Sequence, residues 1–184
     1  MSVVPAGLHI VSYPAEVLRQ TAAPVREITA EVRAVAERMI ELMHQADGVG
    51  LAAPQVGLSW RLFVADVPED DDEGRSAAAE PPSATRGPVV YINPVISDPA
   101  GAVERYEEGC LSLPDIRGDV LRPPTVTIRA MGLDGREFTQ RGTGLLARCW
   151  QHELDHLDGI LILDRMTQMS RLKNRPAVRR LEKA

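Results

Sequence analysis

The chain has 184 residues, 44% of them hydrophobic, enough to bury a core within a single catalytic-size domain spanning residues 1–184. A formal net charge of -5 argues for solubility and against a general nucleic-acid surface, so no specific DNA partner is expected. Met1 to Pro14 lacks a basic start followed by a sustained apolar run, no segment approaches a membrane span, and the cysteines are only Cys110 and Cys149; a reducing, cytoplasmic setting with free thiols is expected.

In chain order, Thr29 is a candidate N-cap with Glu31 in the first turn, and Val32, Ala36, Met39 and Met43 make the apolar face of a helix running to about Gln45. The segment Gly48 to Gly57 is too rich in Gly and Pro for a regular element, but suits main chain that lines a ligand site. It lacks the Lys-Ser/Thr ending of a phosphate loop. Arg61 to Val67 reads as a strand. Residues 68–88, with the run Glu69-Asp70-Asp71-Asp72-Glu73-Gly74 and Pro81-Pro82, offer almost nothing to bury and read as a mobile surface insertion.

Val89 to Ile96 and Thr125 to Ala130 have strand character, the second entered through Pro123-Pro124, and Asp134-Gly135 marks a tight turn. A last major helix is expected from Gly144 to Leu157, closed by Asp158-Gly159, with Leu145, Cys149, His152 and His156 along one stripe. A helix, then several strands, then a helix with a buried face favours α+β over a βαβ alternation. Residues 167–184 form a basic C-terminal extension, in which Arg171, Lys173, Arg175, Arg179, Arg180 and Lys183 face only Glu182. Such a tail can meet RNA or an acidic partner, or simply be solvated.

The chemistry centres on His152-Glu153-Leu154-Asp155-His156, an HExxH segment. Helix residues four apart share a face, so His152 and His156 can point at one divalent cation. Cys110, in Glu108-Gly109-Cys110-Leu111-Ser112, is the candidate third ligand; three protein ligands leave one tetrahedral position for water. Glu153 is offset by about 100 degrees from His152, which suits proton transfer beside the metal better than ligation. Cys149 is better read as core packing than as a ligand. Asp155 is either a solvated helix charge or a partner that orients a ligand. A developing oxyanion needs donors, and the Gln55 amide and the Leu111 backbone N–H are candidates. HExxH also serves general zinc endopeptidases, but Cys110 stands where those use histidine or carboxylate.

Gly48-Val49-Gly50-Leu51-Ala52-Ala53-Pro54-Gln55, Glu108-Gly109-Cys110-Leu111-Ser112 and Gln151-His152-Glu153-Leu154-Asp155-His156 resemble, in the same order, the three signature motifs of the peptide deformylase family. The resemblance extends to Tyr91-Ile92-Asn93-Pro94, Arg122, Asp158-Gly159 and Asp164-Arg165, covering Ile10 to Met166. It implies a compact α+β fold with antiparallel or mixed sheets around a central HExxH helix. It implies that Cys110, His152 and His156 hold a catalytic divalent metal, ferrous iron in the cell and replaceable by zinc, nickel or cobalt. Glu153 would be the general base and proton carrier, and Gln55 with the Leu111 N–H would bind the formyl oxygen. The substrate would be the N-formyl-methionyl end of a new polypeptide, hydrolysed to formate and a free amine. Gly50 and Glu108-Gly109 would flank the peptide, and Val49, Leu145 and the hydrocarbon part of Arg148 would line the methionine pocket. Arg148 replaces an apolar residue of some relatives, which either narrows the pocket or exposes its charge at the rim. Separately from the resemblance, the charge of the basic tail leaves ribosome contact open as one role, with a merely solvated end as the other.

Overall fold

The computed structural model of the protein describes residues 3–183. Helix α1 (Ala30–Gln45) begins where the sequence places it, with the Thr29 side chain accepting the Val32 N–H at 3.3 Å. Strand β1 (Gly50–Ala52) follows, so the Gly- and Pro-rich segment does contain a regular element. A short 3-10 turn, Ala53–Val56, closes it and ends at Gly57, whose φ of 81° only glycine adopts readily. Next come β2 (Leu62–Ala65), β3 (Val89–Ala100), β4 (Glu104–Cys110), β5 (Leu113–Arg122), β6 (Thr125–Met131) and β7 (Glu137–Thr143). Helices α2 (Gly144–Leu157), α3 (Ile162–Arg165) and α4 (Gln168–Leu181) complete the chain.

The strands form a five-stranded sheet in the order β1-β2-β3-β6-β7 and a separate β4–β5 hairpin. Every pairing between these strands is antiparallel, which decides between the antiparallel and mixed sheets expected. Alternation along β2 and β3 explains how one sheet serves two helices. Phe63, Ala65 and Tyr91 join Leu146, Ala147, Trp150 and Leu157 of α2 in one core cluster. Leu62, Val64, Val90 and Ile92 face the other way, onto Val35, Met39 and Met43 of α1. Each large apolar side chain fully buried this way stabilises the fold by roughly 1.5–3 kcal/mol. Thus α2, which carries HExxH, is fixed against the sheet along its length, while the hairpin stands on its other side.

Two segments are better anchored than their composition predicts. Within 68–88, Ser83, Ala84 and Thr85 are buried; Thr85 donates its N–H to Val67 O at 2.8 Å, its hydroxyl accepts the Val67 N–H at 2.9 Å, and Pro82 O accepts from Thr143 N–H. A surface run with almost nothing to bury is therefore wrong for its C-terminal third: small hydroxyl side chains made the hydrogen bonds that hydrophobicity could not reveal. The basic extension is a helix laid on β5. Asn174 donates to Arg117 O at 2.7 Å, Ser170 Oγ accepts the Asp119 N–H at 3.0 Å, and Ala177 and Val178 pack against the cluster of Ile116, Val120 and Met166. Arg171, Arg175 and Arg179 lie on its exposed side.

Candidate metal centre and catalytic cleft

Two elements bring the ligand candidates together. On α2, His152 and His156 lie one turn apart with ring centroids 5.1 Å apart. Cys110 ends β4, where the hairpin register shifts between Gly109 and Cys110; such an irregularity re-aims a side chain. Its Sγ lies 3.2 Å from His156 Nε2, and the ligand atoms of Cys110, His152 and His156 all fall within 4.8 Å of one another. A tetrahedral zinc site separates sulfur and nitrogen ligands by about 3.6 Å, so the spacing suits a single cation. Burial, the largest cause, lowers the His156 pKa well below the ordinary histidine value, whereas at His152 the hydrogen bonds with Cys110 and Glu108 outweigh burial and raise the pKa well above it, so a metal held by both rings would have to displace the His152 proton. His156 Nδ1 is buried with no hydrogen-bond partner among the described residues, while Nε2 is the ring nitrogen turned toward Cys110. The donor set of one thiolate and two imidazoles suits zinc, ferrous iron, cobalt or nickel.

Glu108 explains how His152 is held. Because a carboxylate only accepts, the 3.1 Å contact makes His152 Nδ1 the donor to Glu108 Oε2, which leaves Nε2 for a metal. Arg122 grips the same carboxylate at both oxygens, at 2.7 and 3.0 Å, and Arg148 adds a third cationic contact at 2.8 Å. Burial alone would raise the Glu108 pKa; the hydrogen bonds from His152 and Arg122 outweigh it and hold the carboxyl well below the usual range. Arg122 also donates to Asp155 at 2.8 Å, and Arg165 binds Asp155 from the solvent side at 2.7 Å. Asp155 is therefore buried and paired, not a solvated helix charge. The Glu108 side chain turns toward α2, so any part this position plays beside a peptide falls to its main chain. This Glu108-Arg122-Asp155-Arg165 chain escaped the sequence reading. Its one local signal was Asp155 beside His156 on a buried helix, a charge that demands a cation.

A cavity of about 630 Å³ opens between these elements. Val49, Gly50 and Gln55 lie on one side, Glu108, Gly109, Cys110 and Leu111 on another, and Leu145, Arg148, His152 and Glu153 along α2; His156 sits behind Cys110. Glu153 is 3% exposed, and its Oε2 has no hydrogen-bond partner among the described residues. Burial pushes its pKa up to about 7, where a carboxylate exchanges protons readily at neutral pH. Gly50 makes the space for it, since a Cβ there would meet Glu153 Oε1 at 2.5 Å. The Gln55 amide is oriented by its neighbours. Ala52 N–H needs an acceptor and finds Oε1 at 2.8 Å, so Nε2 must face Cys110 Sγ, 3.5 Å away, as a donor. Cys149 packs in the core with its thiol pKa raised by burial, which argues against ligation. Arg148 is 7% exposed, so of the two alternatives its charge is not at an open rim.

A family profile described as polypeptide deformylase matches residues 8–172. A peptide deformylase of Acidobacterium capsulatum is 44% identical over 177 residues, covering 95% of each chain, and that of Novosphingobium aromaticivorans is 39% identical over 182 residues with the same coverage. Among solved structures, the peptide deformylase of Ehrlichia chaffeensis superposes with a TM-score of 0.85 at 33% identity, covering 96% of this chain and 95% of that one. The Synechococcus elongatus peptide deformylase in complex with actinonin gives 0.79 at 38% identity, covering 99% and 90%. With a profile match across most of its length and relatives of this similarity over nearly all of it, the chain belongs to the peptide deformylase family, metal-dependent enzymes that remove the N-formyl group from nascent polypeptides.

Proposed function

We propose that this cleft hydrolyses N-formyl-methionyl termini to formate and a free amine, with Cys110, His152 and His156 holding one divalent cation. The observation that carries the reading is the orphaned, buried Glu153 carboxylate beside a Cys-His-His cluster at a substrate-sized cavity. A cation held there supplies Lewis acidity to the formyl carbonyl and acidifies water. Glu153 accepts the proton of the attacking water and delivers it to the departing amine nitrogen. Gln55 Nε2 and the Leu111 N–H donate to the formyl oxygen as it gains charge. The main chain at Gly50 and Glu108-Gly109 brackets the peptide, and Val49, Leu145 and the Arg148 methylenes receive the methionine side chain.

Ferrous iron is the proposed ion in the cell, with zinc, nickel and cobalt able to replace it; one soft thiolate with two imidazoles supports that range. A cytoplasmic location follows from a substrate that is a nascent chain, and agrees with two free thiols and with no helix long and apolar enough to cross a membrane among the described residues. The exposed Arg171, Arg175 and Arg179 of α4 support contact with ribosomal RNA. Charge reversal at these three positions should abolish co-sedimentation with ribosomes; unchanged sedimentation refutes the contact. For the reaction itself, freshly metallated protein should release formate from formyl-Met peptides, and Glu153→Ala should retain metal yet lose turnover by about 100-fold or more. Folded, fully metallated protein that releases no formate overturns the proposal.

A further inference from the structure

We propose that Val11 and Tyr13 are positioning residues: their backbone N–H groups hold the Gln55 turn and the Ser112 turn from behind the cleft, and so set the two proposed oxyanion donors against each other. The inference rests on the deformylase reading above. Val11 donates its N–H to Gln55 O at 2.8 Å, and Tyr13 donates its N–H to Ser112 O at 2.9 Å. Val11, Tyr13 and Ala15 pack inward on the cluster of Leu113, Ile116 and Met166 while Ser12 and Pro14 are exposed, the alternation of an extended chain. Groups two residues apart in such a chain donate from one edge, so a single strap of backbone reaches both turns. One turn carries the Gln55 amide, and the other follows directly on the Leu111 N–H.

Two further ties join these turns among the described residues, and neither can orient them. Gln55 Nε2 lies 3.5 Å from Cys110 Sγ and 3.4 Å from Ser112 Oγ, but it is the very group that must turn to the substrate. The Leu111 side chain packs against the cluster that holds Ala53 and Val56, a contact without direction. Orientation therefore falls to the two main-chain hydrogen bonds, which are short and directional. The strap is itself seated. Leu18 is fully buried, and Ala22 donates its N–H to Leu157 O at 2.8 Å, one residue past His156. Because Ala52 N–H still holds Gln55 Oε1 at 2.8 Å, releasing the strap loosens the amide donor without freeing it.

The test compares wild type with Val11→Pro, which removes the N–H that binds Gln55 O, and with Ser12→Pro, which places the same ring one residue on and spares both donors. Each is assayed for formate release from a formyl-Met peptide, alone and combined with Gln55→Ala. The Gln55 side-chain NH2 resonances of the zinc-loaded full chain are followed by NMR. Val11→Pro should lower kcat about tenfold, less than the loss for a group displaced by a full 1 Å, with KM within about threefold. Ser12→Pro should stay within about twofold of wild type. In the Gln55→Ala background, Val11→Pro should cost less than about twofold, because a strap acting through Gln55 has nothing left to position. The Gln55 resonances should shift or broaden in Val11→Pro and hold still in Ser12→Pro. If Val11→Pro fails to fold, a backbone ester at position 11, which deletes the N–H and keeps the side chain, carries the same expectations. An equal loss of kcat in both backgrounds overturns the inference, as do Gln55 resonances identical to wild type. Wild-type protein that releases no formate overturns the deformylase reading, and the resonances still decide whether the strap holds Gln55.

Discussion

Replacing Gly50 by alanine tests how closely the chain fixes its proposed base. A Cβ at Gly50 would lie 2.5 Å from Glu153 Oε1 and 2.7 Å from Cys149 Sγ, against ordinary contact from 3.4 Å. The carboxylate oxygen must therefore retreat by about 0.9 Å, or β1 must shift as far. Neither yields easily. Gly50 is registered with Ala65 in the sheet, Cys149 is packed in the core, and Glu153 rides on a helix fixed along its length. A reacting group displaced by about 1 Å costs on the order of 100-fold in rate, which is about 2.7 kcal/mol of activation free energy. The variant should show that fall in kcat for formate release from a formyl-Met peptide, read by a coupled formate assay. Its metal content should match wild type, because none of the three atoms nearest the added carbon belongs to Cys110, His152 or His156. A Gly50→Ala enzyme with full metal and kcat within about threefold of wild type refutes the reasoning.

Arg122→Met should destabilise the fold by about 3 kcal/mol in urea denaturation, the low end for breaking a buried ion pair because Arg148 and Arg165 still contact the two carboxylates; a loss below about 1 kcal/mol contradicts the role assigned to it. Glu108 is depressed in the folded protein, so its contribution is present above the unfolded value of about 4.3 and is lost as pH falls from there toward the folded value. The stability gap between wild type and Glu108→Gln should accordingly hold steady from about pH 7 to 5 and narrow below about 4; a gap that widens in acid has the wrong sign. Gln55→Glu keeps an acceptor for Ala52 N–H but places an anion where a donor faces Cys110, so kcat should fall by about 100-fold or more, and retained turnover removes Gln55 from oxyanion binding.

How far the sequence alone reaches follows from which features are periodic. The α1 face and the HExxH turn repeat every three to four residues, and both helices stand at the predicted bounds. The β4–β5 hairpin escaped because Glu104 to Glu108 is charged and mostly exposed, with none of the apolar alternation by which strands are recognised. The Glu108-Arg122-Asp155 chain escaped for a different reason: its members are 14 and 33 residues apart, and pairing over such distances leaves no local mark. Gln55 and Cys110 could be named as candidates, yet the amide's direction depends on Ala52 N–H, which only folding brings to it. Arg148 could be placed on α2, but its acceptors on Glu104, Glu108 and Val120 lie on strands the sequence did not reveal.

The ligand candidates come from two elements that are far apart in the chain, Cys110 on the hairpin and His152 on α2, and this gives a bound cation a mechanical part. It closes a loop of more than forty residues, as a disulfide would, but reversibly and with a strength set by the free metal concentration. Loading with metal thus works as a removable cross-link across the cleft. Samples that differ only in occupancy will differ in melting temperature and in the stiffness of the substrate groove, so an inhibitor screened on half-loaded protein meets two receptors.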